Sequence, residues 1–384
     1  MIHIRQAFFL TGAIAIALLS CSKKQVDAVA DKVPGSYRFS DLPKYGDTII
    51  TIKTGKDTGI QRYLDRLKIN GTGDFLRDSI WPNSGGYSSF YTTDEQVVVP
   101  DNQGYIYPGS LIRGNTVNDA NFVPLPIRNY KRVPITVSVS FPSDAAVDVI
   151  DTPSLSRTRV FLRKALLAPG FSGSQIEEFV YETFGFSFYD EIKRAFGSNE
   201  NIKKLFYSSS SSFNFQSVRT DKRSALVAKF SLKNFVMRLE APQNGKLIDE
   251  TNVDQAVLQG YTPVYINSIT YGRMGIIVIE SNETLENLKT QYEKTVRRLF
   301  KRTTETLTDE EKRVVNSSRI NVYLIGGSGT PQTQSVSGYD EFVKFIASSG
   351  TFTAADPGVP ISFTMKYMSD NSNVKTTFRL DYPN

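Results

Sequence analysis

Tyr265-Ile266-Asn267-Ser268-Ile269-Thr270-Tyr271-Gly272-Arg273 runs directly into Met274-Gly275-Ile276-Ile277-Val278-Ile279-Glu280. A charged segment with apolar residues at helical spacing follows, and Ile320-Asn321-Val322-Tyr323-Leu324-Ile325 then ends at Gly326-Gly327. Continuous apolar runs of this length, rich in β-branched residues, read as strands buried on both faces. Two such strands therefore flank an amphipathic helix. Two readings fit: an ordinary strand–helix–strand unit, or a sheet whose helix can be exchanged for a longer strand hairpin.

The 384 residues suffice for two or three compact units. Hydrophobic content of 40% and a mean hydropathy of −0.26 are those of a globular chain. The 19 Tyr and 25 Phe favour sheet. The formal charge of +6 is mild; it is compatible with an anionic surface but is more simply a solvated basic exterior, and no nucleic-acid partner is expected.

Arg5, the thirteen-residue apolar run Ala7 to Leu19 and Leu18-Leu19-Ser20-Cys21 form an export signal. The run is too short for a transmembrane helix. Cys21, the single cysteine, follows a lipobox-like cleavage pattern and is the expected lipidation site. Ser22 after it favours the outer membrane or cell surface, and 21–34 reads as a tether. The only histidine, His3, lies inside the signal, so Ser-His-Asp and Cys-His catalysis, His-ligated zinc and thiolate redox chemistry are all excluded from the mature protein. No phosphate-binding loop or dinucleotide fingerprint is present. No catalytic residue, cofactor or metal site is expected, and the chain does not read as an enzyme.

Along the chain, Thr48 to Ile52 and Gln96 to Pro100 read as strands, Ile60 to Leu67 as a helix, and Trp81 as a packing residue in a loop. Ile135, Val137, Val139 and Phe141 alternate with Thr136, Ser138 and Ser140, the pattern of a half-buried strand ended by Pro142. Ser154 to Leu167 and Ser174 to Glu182 have helical character, as does Tyr339 to Ala347. Ala225 to Leu239 reads as one long bent strand, and Ile361 to Tyr367 and Thr376 to Asp381 as the closing strands.

Two segments are amphipathic. In Phe188 to Arg219, Ile192, Ala195, Phe196, Ile202, Leu205 and Phe206 make a helical stripe. The end of the same segment alternates: Leu205, Tyr207, Phe213 and Phe215 share one side of a strand, as in a barrel wall between lipid and water. In Thr284 to Ser318, Leu285, Leu288, Tyr292, Val296, Leu299 and Phe300 make a clearer helical stripe. Charge separates the two, with eight charged residues of 32 in segment one against fourteen of 35 in segment two. If Leu288, Tyr292, Val296 and Phe300 faced lipid as a hairpin, Lys294 and Arg298 would share that face. Each would cost about 2–4 kcal/mol at the bilayer midplane.

Five stretches, in order, resemble the cholesterol-dependent (thiol-activated) cytolysins: Tyr107-Pro108-Gly109-Ser110-Leu111, Lys131 to Ser138, Asn267 to Arg273, Leu324-Ile325-Gly326-Gly327 and Pro360 to Thr364. The resemblance runs from about Tyr87 to Asn384. It implies an α+β fold with a bent central antiparallel β-sheet, flanked by two helical clusters that unfurl into transmembrane β-hairpins on oligomerisation. Segments one and two fall where those clusters fall. Tyr271, Gly272 and Arg273 belong to the family motif. Gly326 and Gly327 match the hinge at which an edge strand is released.

The implied organisation is a signal over 1–20, the tether, a discontinuous domain 1 (35–50, 86–185, 240–265 and 358–372), an elongated strand domain 2 (51–85 and 373–384), and a sheet domain 3 carrying both segments (186–239 and 266–357). The family's fourth, cholesterol-recognising domain is expected to be absent, since Trp81 and Cys21 lie elsewhere than its Trp-rich loop. The expected protein is a pore-forming lipoprotein acting on membrane lipid, as a homo-oligomer or with a longer cytolysin-like subunit. The alternative is a surface lipoprotein that keeps the fold as a binding scaffold and never inserts.

Overall fold

The computed structural model describes residues 38–45, 49–54, 73–83, 85–118, 122–126, 130–173, 178–200, 205–206, 219–242, 246–250, 253, 255–301, 308–326, 332–336 and 352–384. The expected helices Ile60 to Leu67 and Tyr339 to Ala347 lie outside these residues.

In chain order the strands are β1 (Ile49–Lys53), β2 (Asp74–Ile80), β3 (Tyr87–Thr93), β4 (Glu95–Val97), β5 (Leu111–Ile112), β6 (Ile135–Val139), β7 (Val147–Ile150), β8 (Glu178–Gly185), β9 (Ser224–Leu239), β10 (Val264–Ser281), β11 (Arg319–Ile325), β12 (Gln332–Val336), β13 (Val359–Tyr367) and β14 (Thr376–Tyr382). The helices are α1 (Leu155–Leu167), α2 (Lys193–Phe196), α3 (Gln255–Leu258), α4 (Leu285–Lys301) and α5 (Asp309–Asn316).

β9 and β10, at 16 and 18 residues, form the spine of a ten-stranded sheet. Each is too long to keep the same neighbours throughout. In its first half β10 pairs with β13, from Val264 to Gly272; in its second half it pairs with β11, from Met274 to Glu280. β9 likewise takes β8 at its start and β6 at its end. The exchange of neighbours on β10 occurs at Gly272, where its register with β9 also shifts. Extra residues at such a point increase local twist and bend a sheet.

The first half of β10 and the second half of β9 lie over one core, and the second half of β10 and the first half of β9 over two others. Near β13 and β6, the buried face of the alternating strand (Ile135, Val137 and Val139, with Phe141 just beyond) packs with α1 residues Phe161, Ala165 and Leu166. Ser154 caps α1 by accepting the Arg157 N–H at 3.3 Å. A second sheet of four strands, in the order β1-β14-β3-β2, buries Ile50, Ile52, Tyr91, Phe378 and Leu380 on one side. It gathers β1 and β14 in parallel, bringing residues near both ends of the described chain together.

The helical reading of Ser174 to Glu182 is corrected: residues 178–182 belong to β8, and 174–177 lie outside the described residues. Eight register pairs with β9 decide this, with Glu178 opposite Lys233 and Glu182 opposite Lys229. Phe179 and Tyr181 then share one face. Spacing over nine residues could not separate period 2 from period 3.6, and sheet pairing decided it.

Candidate functional site

The first half of β9 and the second half of β10, with β11, are buried on both faces. One face carries Ala225, Val227, Met274, Ile276, Val278, Tyr323 and Ile325. It packs against Ile192, Ala195, Phe196, Leu205 and Phe206 of segment one. The other carries Leu226, Ala228, Phe230, Ile277, Ile279, Ile320 and Val322. It packs against Leu288, Tyr292, Val296, Val314 and Val315 of segment two. Each amphipathic segment thus covers one side of the same three strands.

Their connectivity is equally specific. Segment one joins β8 to β9, and segment two joins β10 to β11; both strand pairs are antiparallel neighbours in register. An antiparallel pair can be lengthened from its existing register without any crossover. Converting either segment to a hairpin would require only that the helices leave the sheet.

The helices are less continuous than their stripes suggest. In segment one, a 3₁₀ turn over Tyr189–Ile192 leads into α2, and Gly197 at φ +70° ends it. Glu191, buried, accepts the N–H groups of Ser187 and Phe188 at 2.9 and 3.0 Å and so caps that start. Segment two is two helices: α4, and α5 with a capping box between Thr308 and Glu311. Of the expected membrane-facing residues, Leu205 is buried against the sheet in segment one, and Leu288, Tyr292 and Val296 are fully buried in segment two. Tyr207, Phe213 and Phe215 lie outside the described residues, as do the side chain of Phe300, Cys21 and Gly327.

Gly326 follows the last β11 residue at φ +91°. Its carbonyl accepts from Arg273 Nε at 2.8 Å, and the same guanidinium is ion-paired with Asp356. A Cβ on Gly326 would lie 2.8 Å from the Gly272 carbonyl oxygen, and one on Gly358 would lie 2.8 Å from Gly272 Cα. Three glycines and one arginine thus hold the end of β11 against the point where β10 changes neighbours. The motif residue Tyr271 is buried on the other side, stacked on Phe235 at 4.7 Å. The sequence reading placed the hinge and the family motif in separate roles; the fold puts Arg273 and Gly326 in contact.

One residue the sequence reading passed over is Arg194. It sits fully buried in α2, its guanidinium 4.2 Å from the Tyr91 ring of β3 and 4.7 Å from the Phe184 ring of β8. It ties segment one to the second sheet. As a charged residue beside an apolar stripe, it carries no local signal of burial.

β8 and β12 are the outer strands on either side of β9–β11. Charge lies along β8 and β9: Lys233 Nζ of β9 is 3.8 Å from Glu178 of β8, and Lys229 Nζ of β9 is 3.5 Å from Glu95 of β4. Burial pushes the Glu182 carboxyl up against the attraction of Lys229. Burial also pushes Glu95 up, but Lys229, the Ser362 hydroxyl and Lys233 together hold it below the usual range.

Several of segment two's charges are paired. Arg298 Nη1 meets buried Glu311 at 2.5 Å, while Arg313 donates to Glu283 at 2.7 Å and to both oxygens of Glu310 at 2.7 and 2.8 Å. Hydrogen bonds from Arg313, then Asn287, hold Glu283 low and Glu310 down at about 2. A folded-state pKa below the unfolded value of ~4.3 adds stability that is complete above that value and lost as pH falls toward about 2. Arg313→Gln is therefore expected to lower the urea midpoint at about pH 7, with the gap from the parent narrowing at about pH 3. A gap independent of pH would show that these pairs do not stabilise the docked helices.

Among the described residues there is no cluster of three or more His, Cys, Asp or Glu side chains able to hold a metal. Nor is any described helix long and apolar enough to cross a membrane, which leaves strands open.

A sequence model of the thiol-activated cytolysins matches residues 88–382. The chain belongs to this family. Pneumolysin of Streptococcus pneumoniae is 24% identical over 302 residues, covering 75% of this chain and 61% of pneumolysin. Tetanolysin of Clostridium tetani is 20% identical over 289 residues, covering 72% and 53%. The chain therefore spans about three fifths or less of the length of these two relatives. The crystal structure of suilysin from Streptococcus suis superposes with a TM-score of 0.61 at 19% identity, over 90% of this chain and 73% of suilysin. Pneumolysin itself gives a TM-score of 0.62 over 90% and 72%. The fold is that of these toxins.

Proposed function

We propose that this cytolysin-family protein is an exported lipoprotein, anchored through Cys21, whose copies join through sheet edges and insert β-hairpins into a target membrane. The observation that carries the reading is that each amphipathic segment connects two antiparallel neighbours in register and covers one face of the same sheet. In the proposed sequence of events, β12 swings away at Gly326-Gly327 and bares β11. The β8 edge of the next subunit then pairs with β11. An uncovered edge strand is a template for another chain, and glycines permit the backbone change. Segments one and two then zip onto β8–β9 and β10–β11. Leu205, Tyr207, Phe213 and Phe215 would face lipid in the first hairpin, and Leu288, Tyr292, Val296 and Phe300 in the second. The partner is a further copy or a longer subunit of the same family. No enzymatic step is required, and the relatives' names are those of lysins.

A second reading, a scaffold that never inserts, draws support from the Arg298–Glu311 and Arg313–Glu310 pairs, which hold segment two as helices. Environment-sensitive dyes on Tyr207→Cys and Phe213→Cys separate the two. With phosphatidylcholine vesicles, with and without cholesterol or an added longer family member, insertion shifts the emission to that of an apolar setting and releases trapped dye. Unchanged emission in every mixture would leave the scaffold reading.

A further inference from the structure

Glu280 is the last β10 residue paired with β11, and its side chain is fully buried. Its Oε1 accepts from the Tyr189 hydroxyl at 2.6 Å and from the Thr220 hydroxyl at 2.9 Å; Oε2 accepts from Arg319 Nη1 at 3.2 Å. These contacts have a topological meaning. Tyr189 lies at the start of segment one, and Thr220 directly follows its end. Glu280 precedes the start of segment two, and Arg319 directly follows its end. One carboxylate therefore touches all four junctions at which the two segments meet the sheet.

Neighbouring contacts tighten the same point. Arg319 Nη2 reaches Asp221 at 3.3 Å, the Thr220 N–H donates to the Ser187 carbonyl at 3.0 Å, and the Ser224 hydroxyl donates to the Glu283 carbonyl at 2.9 Å. Glu280 lies on the sheet face that segment one covers, with Met274, Ile276 and Val278 along the same strand.

We propose that Glu280 is a latch that makes release of the two segments cooperative; this rests on reading both as the moving parts. A buried carboxylate is stable only while its oxygens are filled by donors. Departure of segment one takes away the Tyr189 hydroxyl and uncovers the carboxylate. Water then solvates it and screens its attraction for Arg319, which weakens the closure of segment two. Departure of segment two exposes the start of β11 to water, which screens the attraction of Arg319 for the carboxylate and weakens its hold on segment one in turn. The two segments cover opposite faces, yet they share this one vertex, and a coupling of this kind acts equally in both directions.

Hydrogen exchange by mass spectrometry on the full chain, without membrane, tests this. Tyr189→Phe removes one hydroxyl from segment one. It is expected to speed exchange about tenfold in 189–196 and also in 285–301 and 309–316, as loss of a hydrogen bond to a charged group implies. Arg319→Gln is expected to act in the reverse direction and speed exchange in 189–196. Strands β6 and β13 serve as the folding control and should not change. Acceleration confined to the segment nearest each substitution would overturn the latch. Because no membrane is present, that result is independent of whether the hairpins insert: dyes that shift in vesicles while exchange stays local would remove the latch and keep the pore.

Discussion

A disulfide between Asn321→Cys and Ser335→Cys is expected to abolish dye release from vesicles under oxidising conditions, with full recovery after reduction. The two positions are direct register partners on β11 and β12. Directly opposed residues of antiparallel strands have Cα atoms about 4.5–5.5 Å apart, within the range a disulfide spans. Both native residues are polar, and the neighbouring pairs Val322–Gln334 and Ile320–Val336 stay intact, so the exchange should leave the fold in place. The chain's only native cysteine is Cys21, far along the sequence, which limits mispairing. A crosslinked β12 cannot leave β11, and β11 then has no free edge to offer a second subunit. The oxidised protein should still bind vesicles as the parent does, and each single-cysteine variant should release dye normally. Release that persists in the fully crosslinked protein would mean that β12 does not guard the assembly edge, and the proposed order of events would fall.

The second large effect is on stability. Gly272→Ala is expected to cost about 3 kcal/mol, read as a lower urea midpoint. The added Cβ would lie 2.0 Å from the Leu232 carbonyl oxygen and 3.0 Å from its carbon. Those atoms belong to the neighbouring strand, so relief requires moving β9 relative to β10 where the main sheet bends. The displacement would reach the end of β11 as well, because Gly326 and Gly358 both pack on Gly272. Gly275→Ala, three residues further on, is the comparison. Its Cβ would meet the Phe230 ring at 2.2 Å, and a side chain can turn where a backbone cannot. A smaller loss is expected there. Equal losses at the two positions would show that the crowding at Gly272 is relieved by a small strand shift and that the bend is not pinned there.

The proposed mechanism depends on the balance between these features. The helical state of segment two is held by buried apolar contacts from Leu288, Tyr292 and Val296, and by paired charges. Insertion must break those pairs and place the same residues in or beside a bilayer. The charge that argues against a membrane hairpin in the sequence is, in the folded protein, part of what holds segment two as helices. Arg194 has a related role for segment one, since it is packed between rings of the second sheet and of β8. Releasing segment one therefore also loosens its grip on the second sheet.

Much of this was legible in the residues themselves. Continuous apolar runs identify the second half of β10 and β11 as strands buried on both faces, and Ala225 to Leu239 reads as one long bent strand. Strict alternation identifies β6, and the helical spacing over Ser154 to Leu167 identifies α1, because period is a local property of the chain. The ordered motifs indicated the family, and the stripes located both segments. Other features appeared only with the tertiary structure. Periodicity says that Leu288 and Tyr292 need an apolar partner, but not that the partner is the opposite face of the strands covered by Phe196 and Phe206. Nor does it distinguish a nine-residue helix from β8, whose identity comes from a strand some fifty residues away in the chain. Glu280 reads as a polar full stop after an apolar run; only folding brings Tyr189, Thr220 and Arg319 to its carboxylate. Local sequence sets which surfaces must be buried, while long-range pairing decides what buries them. The contacts that would govern release of the segments belong to the second kind.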